Sequence, residues 1–215
     1  MTPEFADLVN PIFHQALQLV DRIRGGETLD LSIENSRFRN QFSKAESVVS
    51  QPGCPVKPEE FQLAKRALVF WVDEVLTLND PNWENHTLEW HYYQSHDRAW
   101  LFYVDAETKA RRSSADVIEV FYLALVLGFE GDIADGFQRV GQPIPQEKTE
   151  AQARSQWAEK LAREIPEKQK RREPAKPSLE GDVRPLWGAS MFMDAVKWTA
   201  LLMVVFCVLL YFSLS

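Results

Sequence analysis

Three groups of residues have types and spacings that could carry chemistry. The sharpest is Asp73-Glu74, two adjacent acids inside an apolar run, with Phe70-Trp71-Val72 before them and Val75-Leu76 after. Neighbouring residues on a helix point about 100° apart, so the two acids cannot both reach water if the helix is central. Three uses stay open. The pair can be a carboxylate site for proton transfer. One acid can cap a helix or pair with an arginine such as Arg37, Arg39 or Arg98, which offsets its desolvation. Or the pair can be an acidic docking point at a groove. Proton transfer lacks company, since no further carboxylate, histidine or nucleophile is assignable to it. The second group is His86, His91 and His96, five residues apart. On one helix that spacing turns successive imidazoles by about 140°, so they share no face. There is no HExxH, and a zinc pair needs i, i+4 or i, i+2. No metal is expected, and these histidines are left without a role, as is the isolated His14. The third group is Gly128-Phe129-Glu130-Gly131, directly after an apolar helix. Gly128 suits the left-handed residue that ends a helix, Phe129 can fold back on it, and Gly131 permits a second tight turn. It is no phosphate loop, because GxxxxGK[ST] is missing and Glu130 repels phosphate. With no GxSxG and no GxGxxG either, the chain is expected to be neither an enzyme nor a cofactor binder.

The elements that must position these residues read as helices. Apolar residues from Phe5 to Ile23 recur at helical spacing, and Gly25-Gly26 ends that run. A second helix is expected from about 32 to 50, with Phe38, Phe42, Ala45 and Val49 on one stripe. A third starts at Pro58-Glu59, with proline and acid in the first turn, and stops at Asn79-Asp80-Pro81. Residues 82–112 interleave aromatic and polar groups, and the pattern gives a short helix near 86–94 and another near 97–110. SADVIEVFYLALVL (114–127) is a helix capped by Ser113 or Ser114, and a last amphipathic helix is expected over about 149–164. No stretch alternates with period two and no repeat occurs, so the fold class is all-α.

The 215 residues carry 24 Lys+Arg against 31 Asp+Glu, a net charge of −7. The charge is uneven: residues 1–149 hold 14 basic and 23 acidic side chains, and residues 150–215 hold 10 and 8. The acidic part argues against nucleic-acid binding. Two cysteines, Cys54 and Cys207, exclude a disulfide scaffold. Segment 166–187 has four prolines and a basic cluster and reads as an extended tether. From Trp198 to Ser215 runs WTALLMVVFCVLLYFSLS, free of charged side chains. At about 1.5 Å per residue it can cross a bilayer core. Lys197 marks its start, and Trp198 and Tyr211 sit near its two ends, as interfacial aromatics do. Basic residues lie only before the span, which keeps residues 1–197 on the cytoplasmic side. The expected organisation is a helical body over 1–140, a further amphipathic helix and tether over 141–190, and a membrane anchor over 191–215.

ALVFWVDEVLTLN (67–79), the following Trp83 and VFYLALVLGFEGDI (120–133) resemble the DotU/IcmH family, whose type VI secretion member is called TssL. The likeness covers roughly residues 5–140. It implies a bacterial inner-membrane component of a type VI or type IVB secretion machine, with no catalytic activity. The implied cytoplasmic domain has two small helical bundles in a hook. The implied partners are an IcmF/TssM-type membrane protein, baseplate subunits and further copies of the chain. Asp73, Glu74, Trp83, Gly128, Phe129, Glu130 and Gly131 match the family's motif residues and are expected to bind partners or organise the bundle. Between Trp83 and Asp116 the usual glycine-rich reading is replaced by YYQSHDRAWLFYV. The chain shows no peptidoglycan-binding extension after the span, so direct cell-wall anchoring is not expected. The competing reading is an unrelated tail-anchored adaptor or chaperone-like receptor.

Overall fold

The computed structural model describes residues 1–145 and 147–171. They form eight α-helices and two 3-10 turns, with no strand among the described residues. The helices are α1 (Pro3–Arg24), α2 (Leu31–Val49), α3 (Pro58–Asn79), α4 (Leu88–Tyr93), α5 (Arg98–Thr108), α6 (Ala115–Val126), α7 (Ile133–Arg139) and α8 (Glu150–Arg171). The 3-10 turns are Pro81–His86 and Ala110–Arg112. The tether beyond Arg171 and the anchor, with Lys197, Trp198 and Tyr211, lie outside the described residues. Among the described residues no helix is long and apolar enough to cross a membrane.

Helix α3 is the axis. Its first turn carries Pro58, Glu59 and Glu60, suited to the unpaired amides and positive pole of a helix start. Residues from Phe61 to Leu76 are buried almost all round, including Ala67, Leu68, Val69, Phe70, Trp71 and Val72 in succession. A helix apolar on every side belongs inside a core. Two groups of helices share it. Helices α1 and α2, the turn 81–86 and α4 pack on it from one group; α5 and α6 reach it from the other, where α5 pairs with α7 and α6 with α8. One continuous cluster of buried side chains joins both groups.

Three local features differ from the sequence reading. The short helix expected near 86–94 is α4, but a 3-10 turn at Pro81–His86 precedes it, where Asp80 accepts from the Asn82 amide and starts the tight turn. Helix α7 is not legible in the sequence, since Gly136 weakens it as a helix. That glycine is needed there: a Cβ would lie 2.7 Å from Tyr103 Cβ and 2.9 Å from the Trp100 carbonyl. Helix α8 runs on through Pro166 to Arg171, where the composition predicts an extended tether from residue 166. Interior proline costs a helix about 3 kcal/mol, and packing outweighs it here. Trp157, Leu161 and Ile165 are buried, Arg111 pairs with Glu164 at 2.5 Å, and Lys168 Nζ donates to the carbonyls of Arg111 and Ser113. The compact unit therefore extends over Met1–Arg172.

Candidate functional site

Asp73 and Glu74 leave α3 in different directions and hold different segments. Asp73 is fully buried. Its Oδ1 accepts from Trp83 Nε1 at 2.9 Å and from the Leu88 amide at 2.9 Å. Its Oδ2 accepts from the Glu89 amide at 2.6 Å. The two amides are the first of α4, which would otherwise lack partners; the capping carboxylate comes from another helix because Thr87 offers no side-chain cap. Burial pushes the Asp73 carboxyl up to about 7, against the opposing pull of the three donors and of Arg98.

Glu74 accepts from the Gly131 amide through Oε1 at 3.1 Å and from Arg98 Nε through Oε2 at 3.4 Å. Arg98 also reaches Glu84 at 3.0 Å and the buried Glu89 at 3.4 Å. Glu89 in turn accepts from the Arg98 amide at 3.0 Å, at the first residue of α5. One guanidinium thus joins α3, the turn 81–86, α4 and α5. Burial lowers the affinity of Arg98 for its proton, but the surrounding acids reverse this and raise it above its ordinary value.

The segment 128–131 is built on the end of α6. The Phe129 amide bonds to the Ala124 carbonyl at 3.0 Å and the Gly128 amide to the Leu125 carbonyl at 3.2 Å, the paired pattern of a Schellman end. It needs a left-handed residue, and Gly128 has φ +104°. Phe129 then folds inward and stacks on Phe102, with ring centroids 4.0 Å apart. Tyr103 donates its hydroxyl to the Glu130 carbonyl, and the Asp132 amide bonds to the Ala99 carbonyl at 2.7 Å. Trp71 Nε1 on α3 donates to the Leu127 carbonyl at 3.2 Å. The structure therefore brings Asp73, Glu74, Trp83, Gly128, Phe129 and Gly131 into one connected region. Only Glu130 among the motif residues turns an exposed side chain outward. Arg98, Glu84, Glu89, Tyr103 and Trp71 complete the region. The sequence offers Arg98 only as one of three arginines and does not assign the others. The sole signal is their setting, acids and aromatics without period around Trp83.

The three histidines are reunited by the tertiary fold. His86 ends the 3-10 turn, His91 lies on α4 and His96 follows it, and all three line a cleft of about 440 Å³ with Arg39 and Trp90. His96 stacks on Trp90 at 5.2 Å. Burial, with Arg39 and Lys65 nearby, lowers the His91 pKa. Among the described residues, no three His, Cys, Asp or Glu side chains converge to hold a metal.

The described residues form an all-helical domain whose motif acids are engaged with amides, an indole and a guanidinium of its own elements. The family model for type VI secretion system protein DotU matches residues 4–215, nearly the whole chain. The chain belongs to that family and is a secretion-system component. No curated protein and no solved structure matches it.

Proposed function

We propose that the chain is a non-enzymatic, tail-anchored scaffold of the secretion-system membrane complex, in a type VI or type IVB machine. The anchor segment 191–215 crosses the bacterial inner membrane once through its uncharged stretch from Trp198, with Lys197 and Trp198 at the cytoplasmic edge and Tyr211 toward the periplasm. The helical body stays in the cytoplasm, links an IcmF/TssM-like membrane protein to baseplate subunits, and associates with further copies of itself. The observation that carries this reading is the engagement of the motif acids. Both oxygens of Asp73 are bonded inside the core, and both of Glu74 are bonded to Gly131 and Arg98. Residues held this way set the relative positions of α3, α4, α5 and the 128–131 turn, and leave the exposed Glu130 to meet a partner. Family membership favours this over an unrelated adaptor.

The test is capture of the full-length chain from detergent-solubilised native membranes, with mass spectrometry of what accompanies it. An IcmF/TssM-like protein and baseplate subunits are expected, and Glu130→Arg should reduce their recovery several-fold without lowering thermal stability. Recovery of chaperones alone, or release of the intact chain from vesicles by alkaline carbonate, would overturn the proposal.

A further inference from the structure

A second surface has the opposite electrostatic character to the acidic body. Lys57, Arg112 and Lys168 come from three separate places: the residue before α3, the 3-10 turn before α6, and the last turns of α8. They line one open pocket of about 440 Å³ together with Pro55, Glu60, Ser113 and Ser114. Lys57 pairs with Glu60 at 3.1 Å and is otherwise well exposed. Arg112 is exposed and forms no ion pair among the described residues. The Lys168 ammonium is fixed at the rim by the carbonyls of Arg111 and Ser113, at 2.5 and 2.7 Å. The Ser114 hydroxyl is buried and has no hydrogen-bond partner among the described residues. Lys57 and Arg112 side by side at one pocket stand out on a chain whose first 149 residues carry 14 basic and 23 acidic side chains.

The position of the pocket says what would fill it. It lies beside the C-terminal turns of α8, where the sequence continues through Lys170, Arg171 and Arg172 toward the uncharged stretch that starts at Trp198. Twenty-six residues, 172–197, separate the two. Even as a flexible coil, 26 residues have a root-mean-square reach of only about 30 Å, which keeps this end of the body close to the surface where the anchor enters. We propose that the pocket holds the phosphodiester headgroup of an anionic phospholipid of the cytoplasmic leaflet. The headgroup sits between Arg112 and Lys57, with Lys168 beside them. This sets the face that the body turns toward the bilayer. The inference rests on the tail-anchor reading above.

The full-length chain is reconstituted in phosphatidylcholine nanodiscs, in discs with about a third phosphatidylglycerol, and in phosphatidylcholine discs with millimolar inorganic phosphate. The rate of lysine acylation is read residue by residue. Lys57 should react about fivefold more slowly in the anionic discs, the change expected for one basic group held at a charged surface. Lys44, exposed on α2, should not change and serves as the internal reference. Arg112→Gln should return Lys57 toward its rate in neutral discs. Equal Lys57 rates in both discs, or equal slowing of Lys44, would overturn the proposal. Protection by inorganic phosphate in neutral discs would also overturn it, by assigning the pocket to a soluble anion. Failure of the chain to co-purify with discs would remove the anchor reading itself, an outcome distinct from co-purification without protection.

Discussion

Gly128 and Gly131 sit three residues apart, both with positive φ, yet they should respond very differently to alanine. At Gly128 (φ +104°) an added Cβ meets nothing nearer than Val75 Cγ1 at 3.8 Å. Only conformational strain remains, about 1–2 kcal/mol. At Gly131 (φ +52°) the same strain applies, but the Cβ would also lie 2.4 Å from the Ala99 carbonyl oxygen and 2.7 Å from Phe129 Cε1. Backbone must move. That carbonyl accepts the Asp132 amide at 2.7 Å, and the Gly131 amide donates to Glu74 at 3.1 Å. Losing two such bonds adds about 2 kcal/mol, and pushing Phe129 off Phe102 adds about 1 kcal/mol. Gly131→Ala is therefore expected to destabilise by about 4 kcal/mol, and Gly128→Ala by about 1–2 kcal/mol. Urea unfolding of residues 1–172, followed by tryptophan fluorescence, measures both. If the two variants differ by less than about 1 kcal/mol, or fall in the reverse order, the close approach of this turn to α5 is not what holds the segment.

Trp83→Phe keeps the buried ring but removes one donor to Asp73, and should cost about 1–2 kcal/mol. In an Asp73→Ala background the same change should cost almost nothing further, and a double-mutant cycle reads the difference. Asp73→Asn leaves an acceptor for Trp83 and Leu88 but sets an amide donor against the Glu89 N–H. Burial raises the wild-type carboxyl from its ordinary 3.8 to about 7, so the folded state takes up a proton between those values. The resulting stability is fully present below the lower value and is lost as pH rises through the upper one. The stability gap between wild type and Asp73→Asn should accordingly widen as pH falls from about 8 to about 5; a gap independent of pH would contradict the burial argument. Ending the chain after residue 164 removes Ile165 and the Lys168 contacts, and should lower the melting temperature relative to ending it after 172. Equal melting temperatures would return the last turns of α8 to the tether.

Helices α1, α2, α3 and α6 are readable in the sequence because each carries a long apolar stripe and a clear stop, such as Asn79-Asp80-Pro81 after α3. Asp73-Glu74 and the 128–131 segment also stand out there as unusual. What the acids meet is not readable, because the partners are set by tertiary contact. Asp73 binds two backbone amides, Leu88 and Glu89, and no side-chain pattern announces an amide. Nor is Ser114 the cap that its position predicts: it occupies the start of α6, but its side chain makes no capping bond. Spacing arguments fail for the histidines for a related reason. They assume one helix, and His86, His91 and His96 sit on a 3-10 turn, a helix and the segment after it.

The adjacency of the two acids is itself informative. Residues about 100° apart on one helix face two different neighbours, so a dipeptide on α3 can fasten one group of helices with its first member and the other with its second. Asp73 fastens the turn 81–86 and α4; Glu74 fastens the 128–131 segment and Arg98 at the start of α5. The two fastenings are not independent. Arg98 bonds Glu89, whose amide is held by Asp73. Exchanging the two acids, Asp73→Glu together with Glu74→Asp, would preserve charge and composition. It would also put a longer acid where Asp73 already fits at 2.6–2.9 Å and a shorter one where Glu74 must span to Gly131 at 3.1 Å. The swapped chain should therefore lose both fastenings and about as much stability as the double alanine variant. If it keeps wild-type stability, the acids act through charge alone and the geometric account of the pair is wrong.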